Sequence, residues 1–202
     1  MGEPHVQALL RAAAPAVVAI CTGAALLAVA INFLVAPPPS TIRQEHKSVV
    51  ATGTMLGYFG GFYGLLRFQL GVVLLPRGLA DLLLDLGLGL MLAGTVVNVL
   101  GRVALGGQWG NHVVLYRDHA LVRTGMFRWV RHPLYASLVW MACGASFIFS
   151  NLAALLATLG IFLPAMIYRA RQEEAALLTL FPGYAEYRRR TGMLVPWPWP
   201  RS

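Results

Sequence analysis

The chain of 202 residues is 57% hydrophobic and only 12% charged, whereas soluble domains carry roughly 45–50% and about 25% of such residues. The single core of a soluble protein of this length could not bury that much apolar surface. The same composition excludes a disordered chain. The chain has two cysteines, and its 21 glycines follow no period, which excludes disulfide-rich and collagen-like proteins. What remains is an integral membrane protein.

The net charge of +8 comes almost entirely from arginine. In so apolar a chain, this charge indicates contact with anionic lipid and orientation in the membrane. We therefore expect no nucleic-acid partner.

Five apolar segments are each predicted to cross the bilayer, which takes about 20 apolar residues for about 30 Å of hydrocarbon. They lie at residues 12–36, 49–75, 79–105, 134–150 and 152–168. Asn151 alone separates the last two, so they are predicted to form a tight antiparallel hairpin. The glycine-rich stretch 57–64 indicates close helix packing in lipid. The predicted fold class is an all-α integral membrane protein of about five transmembrane helices.

The remaining segments are polar. A loop at residues 106–133 is too polar to span the bilayer, and the charged tail at 169–190 is compatible with an amphipathic C-terminal helix. The chain is therefore predicted to divide into three N-terminal transmembrane helices, residues 1–105, and a region of loop, hairpin and tail, residues 106–202.

The positive charges predict the orientation in the membrane. With the amino terminus outside, five crossings place every Lys and Arg except Arg11, Arg67 and Arg77 at the cytoplasmic side. Because Lys and Arg favour cytoplasmic segments, the carboxyl terminus is predicted to be cytoplasmic. The polar loop and the charged tail then share one face of the membrane.

Two charged motifs flank the predicted hairpin. They are Arg131-His132-Pro133-x-Tyr135, where the fourth span begins, and Arg169-x-x-x-Glu173-Glu174, just after the fifth. Because the hairpin brings these two ends together, the motifs are expected to lie side by side and to suit a ligand that carries charges of both signs. Each motif also has a simpler interpretation. The first could be an interfacial cap with proline in the first helical turn, and the second a solvated i,i+4 ion pair.

A third motif, His119-Ala-Leu-Val-Arg-Thr-Gly125, lies a few residues upstream. Its glycine permits close backbone approach to a ligand and is equally compatible with an ordinary turn. His112 and His119 lack the close His, Cys, Asp or Glu spacing of a metal site. We therefore expect no metal.

Together these motifs resemble the isoprenylcysteine carboxyl methyltransferase family. The similar runs, over roughly residues 94–196, are Gly107-Gln-Trp-Gly-Asn111-His112-Val-Val, His119-Ala-Leu-Val-x-x-Gly125, Arg131-His-Pro-x-Tyr135, Arg169-x-x-x-Glu173-Glu174-x-x-Leu177, and Phe181-Pro-Gly183-Tyr184-x-x-Tyr187 followed by Pro196. The resemblance implies a small membrane enzyme that uses S-adenosylmethionine to methylate the carboxylate of a carboxyl-terminal prenylated cysteine. It also implies that the cofactor lies between the polar loop, the hairpin and the tail, on the cytoplasmic face.

The resemblance also implies roles for single residues. Arg169 is expected to hold the acceptor carboxylate, with Glu173 and Arg102 as the other catalytic candidates. The expected cofactor-binding residues are His112, His119, Leu121, Val122, Gly125, Arg131, His132, Tyr135, Glu173 and Glu174. Family members usually carry an arginine near the end of the third span where this chain has Asn98, and Arg102 follows one helical turn later. A phospholipid or another small lipophilic acceptor is therefore an alternative to prenylcysteine.

Two other classes of protein compete with this interpretation. Membrane sterol and steroid reductases share the Arg-His-Pro-x-Tyr element but use NADPH, usually read Arg-His-Pro-Asn-Tyr and lack the pair of glutamates. Here Leu134 follows the proline and the glutamates are present, which favours methyl transfer. A membrane scaffold or transporter subunit would explain the spans and leave the charged motifs unexplained. No feature of the sequence fixes the oligomeric state.

Overall fold

The computed structural model describes residues 3–35, 42–46, 49–105, 113–116 and 121–196. Its helices, in chain order, are α1 (Glu3–Val35), α2 (Val49–Arg67), α3 (Arg77–Leu105), α4 (Pro133–Ile148), α5 (Leu152–Ala157), α6 (Leu163–Leu180) and α7 (Tyr184–Arg190). A π-helical turn, Thr158–Phe162, joins α5 to α6, so one helix continues from Leu152 to Leu180. A 3₁₀ turn, Gly125–Arg128, precedes α4.

Three of the described helices are long and apolar enough to cross a bilayer. They are His5–Ile31 within α1, Arg77–Leu105, and the continuous helix Leu152–Leu180. α4 is apolar but has only 16 residues. These helices agree with an integral membrane protein, while five crossings remain a prediction.

The continuous helix is longer than a membrane requires. Its 29 residues extend about 44 Å at 1.5 Å per residue, against about 30 Å of hydrocarbon. The apolar run ends at Tyr168. The charged turns from Arg169 onward are therefore expected to extend beyond the hydrocarbon.

α3 and α4 pack closely through glycines. A Cβ built on Gly87 would lie 2.7 Å from the carbonyl oxygen of Gly144, and one built on Gly94 would lie 2.9 Å from that of Ser137. Small residues let helix backbones approach each other in lipid. The order of these contacts also shows that the two helices are antiparallel.

The glycines of residues 57–64 do not have this role. No described atom lies within 4 Å of a Cβ built on Gly57, Gly60, Gly61 or Gly64. The interpretation of this stretch as a close-packing face was wrong. Glycine content alone does not reveal which helix face meets a neighbour.

The predicted hairpin is confirmed, because only three residues separate α4 from α5 and Tyr135 in the first turn of α4 contacts Glu173 on α6. The Asn151 side chain caps α5 by accepting a hydrogen bond from the backbone nitrogen of Ala154 (2.8 Å), and its Nδ2 donates to the carbonyl oxygen of Leu65 at the end of α2 (3.2 Å). Earlier in α2, the Tyr58 hydroxyl lies 2.7 Å from Thr158 Oγ1. α2 is therefore antiparallel to the helix formed by α5 and α6.

The charged tail differs from its prediction. The tail at 169–190, which was expected to be compatible with an amphipathic helix, contains parts of two helices, because α6 continues through Leu180 and α7 begins at Tyr184. No Pro or Gly interrupts residues 169–180, and Ala, Leu, Glu and Gln there are strong helix formers. Pro182 and Gly183 then separate the two helices.

The structure also contains two strands that the all-α prediction did not include. β1 (Ile42–His46) and β2 (Val113–Tyr116) are antiparallel, with Ile42 opposite Tyr116 and His46 opposite Val113. They connect the segment after α1 to the polar loop. The predicted helices are present in the described part of the chain, but α2 ends at Arg67 and not at residue 75, where the second predicted span ends.

Candidate active site

A buried carboxylate lies at the centre of the charged cluster. Glu174, on α6, is only 2% exposed. Its Oε1 accepts hydrogen bonds from Nε of Arg131 (2.8 Å) and Nε2 of His132 (3.1 Å). Its Oε2 lies 3.2 Å from Nε of Arg188, without the alignment of a hydrogen bond. Both motifs that flank the hairpin therefore meet at this one side chain.

Arg131 also fastens the carboxyl-terminal segment to the start of α4. Its Nη1 donates to the backbone carbonyl oxygens of Arg188 (2.9 Å) and Thr191. Its own backbone nitrogen donates to Gly192 O (2.8 Å). A guanidinium with five donors can hold several acceptors in a fixed geometry. The predicted role of Arg131 in cofactor binding remains a prediction.

A second carboxylate lies closer to solvent. The Glu173 side chain is 25% exposed and accepts a hydrogen bond from the Tyr135 hydroxyl through Oε1. Nε of Arg169 lies 3.6 Å from the same oxygen, and Nδ1 of His132 lies 3.6 Å from Oε2. Glu173 therefore joins α6 to the first turn of α4.

His132 lies between the two carboxylates. Its ring stacks on the ring of Tyr135, with centroids 5.7 Å apart and planes 7° from parallel. Burial by itself lowers the pKa of His132, but hydrogen bonds with Glu173 and Glu174, and their charges, raise it above its ordinary value. The raised pKa favours the imidazolium form, which pairs with both carboxylates.

Arg169 connects this cluster to an apolar cavity. Its Cζ lies 5.6 Å from the centroid of the Tyr135 ring, and its Nη1 donates to Sδ of Met55 on α2 (3.4 Å). The cavity, of about 350 Å³, lies between α2 and the helix formed by α5 and α6. Its walls are Thr54, Met55, Tyr58, Ile161, Phe162, Ala165, Met166, Tyr168, Arg169 and Gln172. A cationic side chain therefore borders a cavity with mostly apolar walls.

Arg102 belongs to a different cluster, on the α3 side of α4. Its Nε donates to Oδ1 of Asn98 (3.0 Å), and Nδ2 of Asn98 donates to Oγ of Ser137 (2.8 Å). Asn98 and Ser137 are fully buried. Ser137 and Tyr135 lie on different faces of α4, so these hydrogen bonds connect Arg102 to the face of α4 that does not carry Tyr135, and its predicted catalytic role remains a prediction.

The predicted loop residues are described in part. Gly125 has a left-handed backbone (φ 59°), and a Cβ built there would lie 3.3 Å from Cβ of Ala104 at the end of α3. Leu121 and Val122 lie in irregular backbone before it and are half-buried. His112 and His119 lie outside the described residues. Within the described residues, no group of three or more potential metal ligands occurs.

Tyr187 contributes a contact that the sequence did not predict. Its hydroxyl donates to the backbone carbonyl oxygen of Phe127 (2.5 Å), which holds α7 against the 3₁₀ turn. Burial raises the pKa of Tyr187 to about 12, so the hydroxyl stays protonated.

The sequence analysis also did not predict the cavity residues on α2. An apolar helix in lipid has no polar periodicity that would distinguish the face that lines a cavity.

Part of the chain that contains this arrangement is similar to known proteins. Residues 87–179 match the isoprenylcysteine carboxyl methyltransferase (ICMT) family. The protein-S-isoprenylcysteine O-methyltransferase of Saccharomyces cerevisiae is 34% identical over 80 residues, which are 39% of this chain and 34% of that protein.

A solved structure has a similar fold. The structure of the eukaryotic intramembrane Ras methyltransferase ICMT aligns with a TM-score of 0.51 and 21% identity, over 75% of this chain and 54% of that one. The chain spans about a third of the length of the yeast relative and about half of the solved one.

The fold and the paired carboxylates define a helical membrane protein with a charged site at one end of its helices. Residues 87–179, which contain both motifs flanking the hairpin, are the part of the chain that is similar to the isoprenylcysteine carboxyl methyltransferase family. The remaining resemblance, from Phe181 to Pro196, lies beyond the matched residues.

Proposed function

We propose that this protein transfers a methyl group from S-adenosylmethionine to the carboxylate of a prenylated cysteine or a similarly lipophilic acid. One observation carries the proposal. Arg169 lies between a cluster of two glutamates, His132 and Tyr135, and an apolar cavity that opens between α2 and α6. An acceptor with an anionic end and an apolar chain matches that junction.

The residues present suit the cofactor. S-adenosylmethionine supplies, when bound, an electrophilic methyl group on a sulfonium. Glu173 is partly exposed and can accept hydrogen bonds from ammonium or ribose hydroxyl groups. Buried Glu174 keeps His132 and Arg131 in place behind it. We assign Glu173, His132 and Tyr135 to the cofactor and Arg169 to the acceptor.

The chemistry requires little more than alignment. An ionised carboxylate is already a nucleophile, and one of its oxygens gains the methyl group as the carbon–sulfur bond breaks toward sulfur. No proton has to move, so no general base is needed. Arg169 can hold the acceptor carboxylate by bidentate hydrogen bonds. Fixing two reactants in this way can supply much of the rate enhancement.

The apolar cavity supports a lipophilic acceptor. Met55, Tyr58, Phe162 and Met166 give it walls that suit hydrocarbon. Two exposed side chains of the wall, Ile161 and Tyr168, lie on the lipid-facing side of the helix. An acceptor chain can therefore enter from the bilayer while its carboxylate stays at the polar end. We place this end at the cytoplasmic face, with the carboxyl terminus.

Ligand binding by the purified protein in detergent tests the proposed function. We expect S-adenosylhomocysteine to raise the unfolding temperature and NADPH to leave it unchanged. The same preparation is expected to methylate an S-prenylcysteine analogue. Stabilisation by NADPH alone would indicate a reductase instead. Stabilisation by S-adenosylhomocysteine with transfer only to phospholipid would keep the cofactor and replace the acceptor.

A further inference from the structure

A pair of stacked rings lines the end of the cavity that is farther from Arg169. Tyr58 of α2 and Phe162 at the end of the π-helical turn have ring centroids 4.2 Å apart and planes 10° from parallel. Phe162 is 1% exposed, and both rings line the cavity. Phe59 contacts Phe162 edge-on, with centroids 5.2 Å apart. Tightly packed aromatic side chains therefore form the wall at this end of the cavity.

The stack is also fixed from behind by hydrogen bonds. The Tyr58 hydroxyl lies 2.7 Å from Thr158 Oγ1. The Thr158 hydroxyl in turn donates to the carbonyl oxygen of Ala154 (2.7 Å). Thr158 begins the π-helical turn, a local widening that occurs often at functional sites. Because the tyrosine is held at both its ring and its hydroxyl, it cannot turn aside without losing a buried hydrogen bond.

The stack lies at a defined distance from the polar end. Phe162, Met166 and Arg169 lie on one face of the helix and all line the cavity. From Phe162 to Arg169 the chain advances by about 10 Å at 1.5 Å per residue. A chain whose carboxylate is bound at Arg169 therefore meets the aromatic rings after about that length.

We propose that the stacked rings of Tyr58 and Phe162 set the longest apolar chain that the acceptor can place in the cavity. This inference rests on the proposed function, since it assumes that the acceptor carboxylate binds Arg169. Inserting extra atoms into a closely packed protein interior costs free energy, because neighbouring side chains have to move. A longer chain therefore has to displace the rings or remain partly outside the cavity.

Acceptors of increasing chain length test the inference. Geranyl, farnesyl and geranylgeranyl thioethers of N-acetylcysteine would be compared with the wild-type protein, Phe162→Ala and Phe162→Leu. Two quantities would be measured: the shift in unfolding temperature on binding, and kcat/KM for methyl transfer. We expect the wild type to discriminate against chains longer than the cavity. In Phe162→Ala the preference should move to the next longer homologue, by about 10- to 200-fold in the ratio of kcat/KM values. Phe162→Leu should move it less.

Phe62→Ala is the matched control. Phe62, on α2, is a buried phenylalanine like Phe162, and its ring centroid lies 5.6 Å from that of Tyr58. Unlike Phe162, it does not line the cavity. It should lower stability without changing the preferred length. If Phe162→Ala does not fold, Tyr58→Phe, which keeps the ring and removes its hydrogen bond, should relax the length limit in the same direction.

The possible outcomes separate the two proposals. A length-dependent stabilisation that shifts in Phe162→Ala, without any methyl transfer, would support the length limit and reject the enzymatic function. Methyl transfer with the same chain-length preference in the wild type and Phe162→Ala would overturn the length limit alone. Equal stabilisation by every homologue would also overturn it.

Discussion

Arg169 is held in place by groups from three elements. It is close to Glu173 on its own helix, Tyr135 on α4 and Met55 on α2. We expect Arg169→Lys to lower the rate of methyl transfer because an ammonium cannot reproduce the bidentate geometry of a guanidinium. Hydrogen bonds to charged groups contribute about 1.5–3 kcal/mol, so the loss should be roughly 10- to 150-fold. The affinity for S-adenosylhomocysteine, measured by calorimetry, should change little.

Arg171→Lys provides the control for this change. Arg171 lies on the same helix and is exposed, so its replacement should affect neither quantity. Loss of cofactor affinity in Arg169→Lys at an unchanged rate of transfer would assign Arg169 to the cofactor and move the acceptor site elsewhere.

The two adjacent glutamates are expected to respond differently to loss of charge. Glu174 is buried among Arg131, His132 and Arg188, and removing one partner of a buried ion pair costs about 3–5 kcal/mol. We expect Glu174→Gln to lower the unfolding temperature in detergent by a clearly measurable amount. Glu173→Gln, at a partly exposed position, should lower it little and weaken cofactor binding instead. Equal destabilisation by both variants would contradict the central structural role of Glu174.

His132 makes stability depend on pH. Its pKa in the folded protein is raised above the ordinary value by Glu173 and Glu174, in spite of its burial. The stabilisation from its charged form is therefore fully present below the unfolded pKa of about 6.5 and is lost as the pH rises through the raised pKa. We expect the unfolding temperature of the wild type to fall over that interval. His132→Gln should show a smaller fall, and an identical pH profile would contradict this assignment.

The charged cluster could be predicted because it follows from chain connectivity. A single residue between two spans brings the residues before the first and after the second to one side, which placed Arg131 and His132 beside Glu173 and Glu174. Individual roles could not be predicted in the same way. Whether Arg131 binds a ligand or fastens the carboxyl-terminal segment depends on the carbonyl groups of Arg188 and Thr191, and no local pattern indicates those.

At the level of helices, the contact of α3 with α4 depends on Gly87 and Gly94. A side chain at Gly87 would meet the backbone of Gly144 and Ile148. We expect Gly87→Ala to destabilise the protein by about 1–3 kcal/mol, the usual cost of overpacking. Gly89→Ala is the matched control, since no described atom lies within 4 Å of a Cβ there. Unfolding temperatures in detergent measure both, and equal effects would show that glycine content matters rather than contact.

The helices also show why some elements were predicted and others missed. Hydrophobic length locates α1, α3 and the hairpin directly. It does not locate the end of α6, because Ala, Leu and Glu continue the helix after the apolar run stops at Tyr168. The strands β1 and β2 are short and distant in sequence, so only their pairing makes them recognisable.

In the whole molecule, helix directions place the site at one end. α4 is antiparallel to α3 through the contacts of Gly87 and Gly94. α2 is antiparallel to the helix of α5 and α6, as the contacts of Leu65 and Tyr58 show. The beginnings of α2 and α4 and the ends of α3 and α6 therefore lie at the same end of the molecule. That arrangement agrees with alternating crossings of a membrane by these four helices.

The side of the membrane at which this end lies can be tested with reporter fusions. The end that carries the site also carries most of the arginines, among them Arg131, Arg169 and the three that end α7. Lys and Arg near the ends of spans favour the cytoplasm. We therefore expect a reporter that works only in the cytoplasm to be active when it is fused after Ser202. With five crossings, the same reporter fused before Met1 should be inactive. If only the amino-terminal fusion is active, the orientation is reversed. If both are active, the number of crossings is even, and α2 or α4 does not span the bilayer.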